Sequence, residues 1–78
     1  ESDYKKALRD YLKVIKKYPT FALAHVRAGN TYYKLNQISQ AKKHWQKALI
    51  LDPKNDDVLE MLSRVQNNDF TRESLIND

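Results

Sequence analysis

The offset that carries Pro19 onto Pro53, 34 residues, also lays the chain's apolar stripes on one another. At this shift Tyr4 falls on Ile38, Ala7 on Ala41, Tyr11 on Trp45, Val14 on Ala48 and Ile15 on Leu49. Further on, His25 falls on Leu59, Ala28 on Leu62 and Gly29 on Ser63. Apart from His25, Ala28 and the Val14–Ala48 pair, small residues meet small ones, large apolar residues meet large apolar ones, and stops meet stops. A period of this length belongs to chains built by stacking one supersecondary unit on the next.

The unit is helical. Tyr4, Ala7, Leu8, Tyr11, Leu12, Val14 and Ile15 recur at helical spacing and predict a helix from Asp3 to Tyr18. Ser2 or Asp3 is expected to cap it, Lys16 and Lys17 suit its negative end, and Pro19 stops it. A second helix is expected from Phe21 to Leu35, with His25, Ala28, Tyr32 and Leu35 on one stripe; Asn36-Gln37 breaks it. A third runs from Ile38 to Leu51, turning Ile38, Ala41, Trp45, Ala48 and Leu49 inward, and Pro53 ends it. A fourth starts near Asn55 or Asp56 and carries Val58, Leu59, Leu62 and Val65. Connections this short make consecutive helices antiparallel neighbours. Asn67-Asn68-Asp69 reads as a strong break, with Phe70 to Asp78 either a short helix or a frayed tail.

Composition agrees with helices and narrows the function. One Gly and two Pro are too few for the turns of an all-β chain. No cysteine means no disulfide and no thiolate metal site. Apolar runs no longer than Ala48 to Leu51 cannot span a membrane as a helix. The first residues, Glu1-Ser2-Asp3-Tyr4, are charged and already helical in pattern, unlike a signal peptide. Nothing here assigns a compartment. The net charge of +4 raises nucleic acid as a partner, with Lys5, Lys6, Arg9, Lys13, Lys16 and Lys17 on the first helix. Asp52, Asp56, Asp57 and Glu60 oppose them later, and the expectation is a solvated basic face.

His25, Ala28-Gly29, Tyr32, Ala41, Trp45 and Pro53 stand at the offsets of a known signature, and Ala48 to Pro53 is similar to its usual ending. On these residues the chain resembles the tetratricopeptide repeat family. The resemblance covers Asp3 to Gln66. It implies an all-α fold of antiparallel helix-turn-helix repeats stacked as an α-solenoid, with about four helices and a short or frayed C-terminal segment. One complete repeat spans Ala22 to Asn55. Residues 1–21 look like the second half of a preceding repeat, 56–66 like the first helix of a following or capping one, and 67–78 like a tail. A segment of a longer repeat array is therefore expected, with a homodimer as the second expectation. Gly29 is expected to admit a neighbouring helix where a Cβ would clash. His25 and Ala28 replace a large aromatic and a Leu, so looser packing is expected in that layer.

No constellation supports catalysis. Ser39, Ser63 and Ser74 have no His or Asp partners nearby, and a single Gly makes no phosphate loop. His25 and His44 are the only histidines, on different helices and without a carboxylate or cysteine cluster at ligand spacing. His25 is expected to be packed and His44 solvated, with no metal and no cofactor.

The function expected from the resemblance is a non-catalytic protein–protein interaction scaffold that takes a partner segment in a concave groove. Groove positions carry over to Leu23, Val26, Asn30, Tyr33 and Lys34, and on the following helix to Asp57, Glu60 and Arg64. Asn30 is expected to bond a peptide backbone as both donor and acceptor, Lys34 and Arg64 to pair with acidic groups, and Tyr33 to give amphipathic contact. Family members that clamp a C-terminal carboxylate use Lys with Asn, and Val26 stands where that Lys is expected, so the groove reads as mixed in character. The alternative is a self-association module acting through exposed helix faces; weaker still is nucleic-acid or anionic-membrane binding through the Lys-rich first helix.

Overall fold

The computed structural model describes the backbone of residues 3–77 and the side chains of residues 3–66. Four helices follow in order: α1 (Asp3–Lys17), α2 (Ala22–Lys34), α3 (Ile38–Leu51) and α4 (Asp56–Asn77). Each packs on the next, α1 on α2, α2 on α3 and α3 on α4. Among the described residues there is no strand. The architecture is the all-α repeat stack that the 34-residue offset predicts.

The turns repeat along with the helices. After α1 the Phe21 N–H donates to the Tyr18 carbonyl at 3.0 Å, and after α3 the Asn55 N–H donates to the Asp52 carbonyl at 3.3 Å. Each four-residue turn has proline second, where its fixed φ is already correct. They differ at the following cap. Asn55 Oδ1 accepts from the Val58 N–H at 3.2 Å and closes the N-terminus of α4. Phe21 occupies the same place before α2 and offers no side-chain cap. Ser2, one of the two residues expected to cap α1, lies outside the described residues.

Between α2 and α3 the chain reverses through a left-handed residue, Asn36, at φ 63°. The Gln37 N–H donates to the Tyr32 carbonyl at 2.9 Å and the Asn36 N–H to the Tyr33 carbonyl at 3.0 Å. These bonds satisfy carbonyls at the end of α2 in the arrangement usually built on glycine, and the Tyr32 carbonyl also accepts from the Leu35 N–H at 3.1 Å. Asparagine tolerates this backbone better than most residues.

The core lies where α3 meets α2 and α4. Ala41 and Trp45 are fully buried, joined by Val58, Leu62 and Val65, with Val26, Tyr32, Ile38, Leu49 and Met61 packed around them. The expected close approach occurs at Gly29. A Cβ there would lie 2.5 Å from Trp45 Cδ1 and 2.6 Å from Nε1, inside the indole. Glycine is therefore what lets the Trp45 ring lie against the α2 backbone. No residue of α1 is fully buried; Ala7, Leu8, Tyr11, Leu12, Val14 and Ile15 are half-buried along its inner stripe.

Several sequence expectations need correcting. α4 continues through Asn67-Asn68-Asp69 to Asn77, so the predicted break is absent. Asn and Asp disfavour a helix interior only by fractions of a kcal/mol (~0.5), and no Pro or Gly stands there to impose a stop. Leu59 is exposed rather than inward. His25 and Ala28 do not loosen their layer: both are buried, and His25 is hydrogen-bonded. His44 is half-buried and lies against Tyr32 and His25 rather than in solvent.

Candidate functional site

A concave cavity of about 480 Å³ opens between α2 and the start of α4, lined by Leu23, Val26, Asn30, Tyr33, Lys34, Asn55, Asp57, Val58 and Met61. Its α2 wall follows from helical spacing: Leu23, Val26, Asn30 and Tyr33 stand three or four residues apart, and Lys34 four after Asn30, so they share one face. Leu23 and Tyr33 are large side chains left exposed on that face, at 47% and 42%. Val26 and Met61 lie half-buried between the cavity and the core, tying its floor to the packed interior.

The polar groups are held in place. Trp45, buried at the centre of α3, donates its Nε1–H to Asn30 Oδ1 at 3.0 Å. An indole N–H can only donate, so it settles which end of the Asn30 amide is oxygen. The amide nitrogen keeps its two donors for a ligand. One of the oxygen's two lone pairs is taken by an internal partner, and the second remains beside the two donors for the double role expected of Asn30. Tyr33 lies 5.8 Å from the Trp45 ring, tilted by 40°. Lys34 Nζ stands 5.7 Å from the Tyr4 ring centre, in a cation–π contact that links the site to α1.

The charges match the helix ends that carry them. Lys34 lies in the last turn of α2 and Asp57 in the first turn of α4. Both are favourable positions for their sign, because a helix is partly positive at its start and partly negative at its end. The cavity lining therefore contains one cation, one anion, two amides and an apolar floor.

Six of the eight sequence-predicted groove residues line this cavity: Leu23, Val26, Asn30, Tyr33, Lys34 and Asp57. Glu60 and Arg64 do not. They are exposed farther along α4 and pair with each other, Arg64 Nη2 donating to Glu60 Oε1 at 2.7 Å. Residues four apart on a helix are neighbours, and at this exposure such a pair contributes about 0.3–0.5 kcal/mol. Asn55, Val58 and Met61 line the cavity without having been anticipated. Met61 stands four residues after Asp57 and thus on the same face.

Among the described residues no group of three or more potential ligands could hold a metal ion, and no helix is long and apolar enough to cross a membrane.

Comparison with known proteins adds a family. Residues 22–55 match the family model described as Tetratricopeptide repeat. The human protein Tetratricopeptide repeat protein 6 is 43% identical over 53 residues, covering 68% of this chain and 10% of that protein. The chain thus spans about a tenth of the length of this curated relative.

Proposed function

The chain belongs to the tetratricopeptide repeat family, whose helical repeats generally mediate protein–protein interaction, and we propose that its α2–α4 cavity holds a segment of a partner protein. The observation that carries this reading is the Trp45–Asn30 bond, which fixes a hydrogen-bond donor over an apolar, concave floor. A donor held in advance costs less to order when a ligand arrives.

The chemistry of the lining describes the segment. Asn30's amide nitrogen needs an acceptor, and backbone carbonyls are free in an extended segment but occupied in a helix. An extended segment is thus the better fit. Beside that carbonyl, an apolar side chain would fill the space bounded by Val26, Val58 and Met61. Lys34 favours an acidic group on one side of the segment, and Asp57 a basic or N–H group on the other. A cavity of about 480 Å³ accommodates only a few residues of a segment. High affinity would then come from several repeats engaging one segment in series.

The test uses peptides selected from a random display library on the native chain. Asn30→Asp keeps an oxygen for Trp45 but replaces the outward donors with a repelling carboxylate. Loss of about 10-fold or more in affinity, with the melting temperature unchanged, is the expected result. Equal affinity for native chain and variant would move the binding surface elsewhere, to the exposed lysines of α1 or to an outer helix face.

A further inference from the structure

His25 on α2 and His44 on α3, the chain's only histidines, meet across the helix interface. Nε2 of His25 lies 2.9 Å from the Pro19 carbonyl oxygen. A carbonyl only accepts, so Nε2 carries the proton and a neutral His25 is bare at Nδ1. That Nδ1 stands 3.4 Å from Nδ1 of His44, with ring centroids 5.6 Å apart. The centroids are farther apart than the nitrogens by about the width of a ring. The two nitrogens therefore face each other along the line between the rings. Tyr32 covers His44 from α2, ring centroids 5.4 Å apart and planes within 19°.

This geometry counts protons. In the neutral pair, His44 Nδ1–H donates to His25 Nδ1. A first added proton goes to His44 Nε2, and the contact survives as a charge-assisted bond. A second has one nitrogen left, His25 Nδ1, where it would point at the N–H of His44. Two N–H groups and two positive charges would then confront each other 3.4 Å apart. His25 is only 5% exposed, so its ring reaches water only if α2 or the Pro19 turn moves.

We propose that the His25–His44 pair is an acid-sensitive latch that clamps α2 to α3 and to the Pro19 turn while it holds at most one added proton, and releases them on taking a second. The charged groups acting on His44, His25 and Lys43, are both basic. The Pro19 carbonyl comes from the turn after α1 and Tyr32 from α2, while Lys43 on α3 adds positive charge. Independently of that count, burial lowers the His44 pKa below the ordinary 6.5, and the charges of His25 and Lys43 lower it further, so the first proton is resisted as well. The latch stands on this geometry alone and needs no peptide in the groove.

Trp45 is the single tryptophan, buried where α2 meets α3, so its emission reports their packing. Melting temperature and emission are measured on the chain between pH 7.5 and 5.0, above the range in which ordinary carboxylates titrate. The native chain is expected to lose about 5 °C or more toward pH 5.0. In His44→Asn an amide nitrogen can stand in for Nδ1 without a second imidazole, and the loss should fall to less than half. A native chain with unchanged melting, or native and variant losing equally, overturns the latch. Should the variant fail to fold, nitrogen-15 NMR of the native imidazoles decides. The Nε2–H tautomer on His25 at pH 7.5, with the second proton binding only as Trp45 emission shifts, supports the latch. An Nδ1–H tautomer, or two charged rings with Trp45 undisturbed, refutes it.

Discussion

Trp45 and Asn30, 15 residues apart and on adjacent helices, are joined by an indole-to-amide hydrogen bond of 3.0 Å. One partner is the most enclosed large side chain of the core and the other faces the cavity. Core packing and ligand chemistry are therefore coupled through a single contact. Trp45→Phe removes the donor and part of the ring. A stability loss of about 2 kcal/mol is expected, read from urea midpoints, together with weaker binding of any peptide that relies on Asn30.

Gly29 offers a sharper test of the same packing. Gly29→Ala gains about 1 kcal/mol of helix propensity but drives a methyl group into the indole, so a net loss of about 1–3 kcal/mol is expected. In the Trp45→Phe background that loss should shrink by more than half. The two substitutions would then be non-additive, as contacting residues are. Additive losses would mean that the Gly29 Cα does not rest on the indole.

Phe21 and Asn55 hold equivalent places after the two proline turns, and only Asn55 caps its helix. Phe21→Asn should supply the missing acceptor at the start of α2 and stabilise the chain by about 0.5–1 kcal/mol in a thermal or urea melt. Phe21 is half exposed, so little packing is lost with it.

Much of this was legible in the sequence. The helix order and the two proline turns follow from the 34-residue offset and from helical spacing, and the Gly29 approach and most of the cavity lining from the family resemblance. What was not legible depends on contacts between helices. Nothing in the spacing of His25 and His44 says that their rings meet, because 19 residues separate them and the α2–α3 reversal sets their register. The orientation of the Asn30 amide is equally invisible without Trp45 beside it. Glu60 and Arg64 were placed in the groove by family register, yet they satisfy each other on the surface. The Asn-Asn-Asp sequence was read as a stop on weak propensity, and α4 runs through it.

Asn36 adopts a left-handed backbone that glycine enters without a Cβ penalty. Asn36→Gly is expected to keep or slightly raise stability, by up to about 0.5 kcal/mol. Asn36→Val should lower it by 1 kcal/mol or more, roughly, since a branched Cβ crowds this conformation. Thermal melts of the two variants distinguish backbone strain at this turn from side-chain contacts.

His44 gives stability a definite dependence on pH. Its pKa is lowered in the folded chain, by burial first and then by His25 and Lys43, so the unfolded chain binds more protons in acid. Stability is therefore fully present above the ordinary histidine value of 6.5 and falls as pH drops below it. Lys43→Gln removes one cause of the lowering and should make the fall shallower in urea midpoints taken at pH 7.5, 6.5 and 5.5. An unchanged or steeper fall would show that Lys43 does not act on this ring.

The proposed function turns on where a peptide lies. The direct measurement is a backbone amide NMR titration of the isotope-labelled chain with a display-selected extended peptide. The account predicts progressive shifts concentrated at Leu23, Val26, Asn30, Tyr33, Lys34, Asp57 and Met61, with the Trp45 indole N–H moving in step through its bond to Asn30. Shifts confined to the lysine face of α1 or to the exposed side of α3, with Asn30 and the Trp45 indole unmoved, would contradict it.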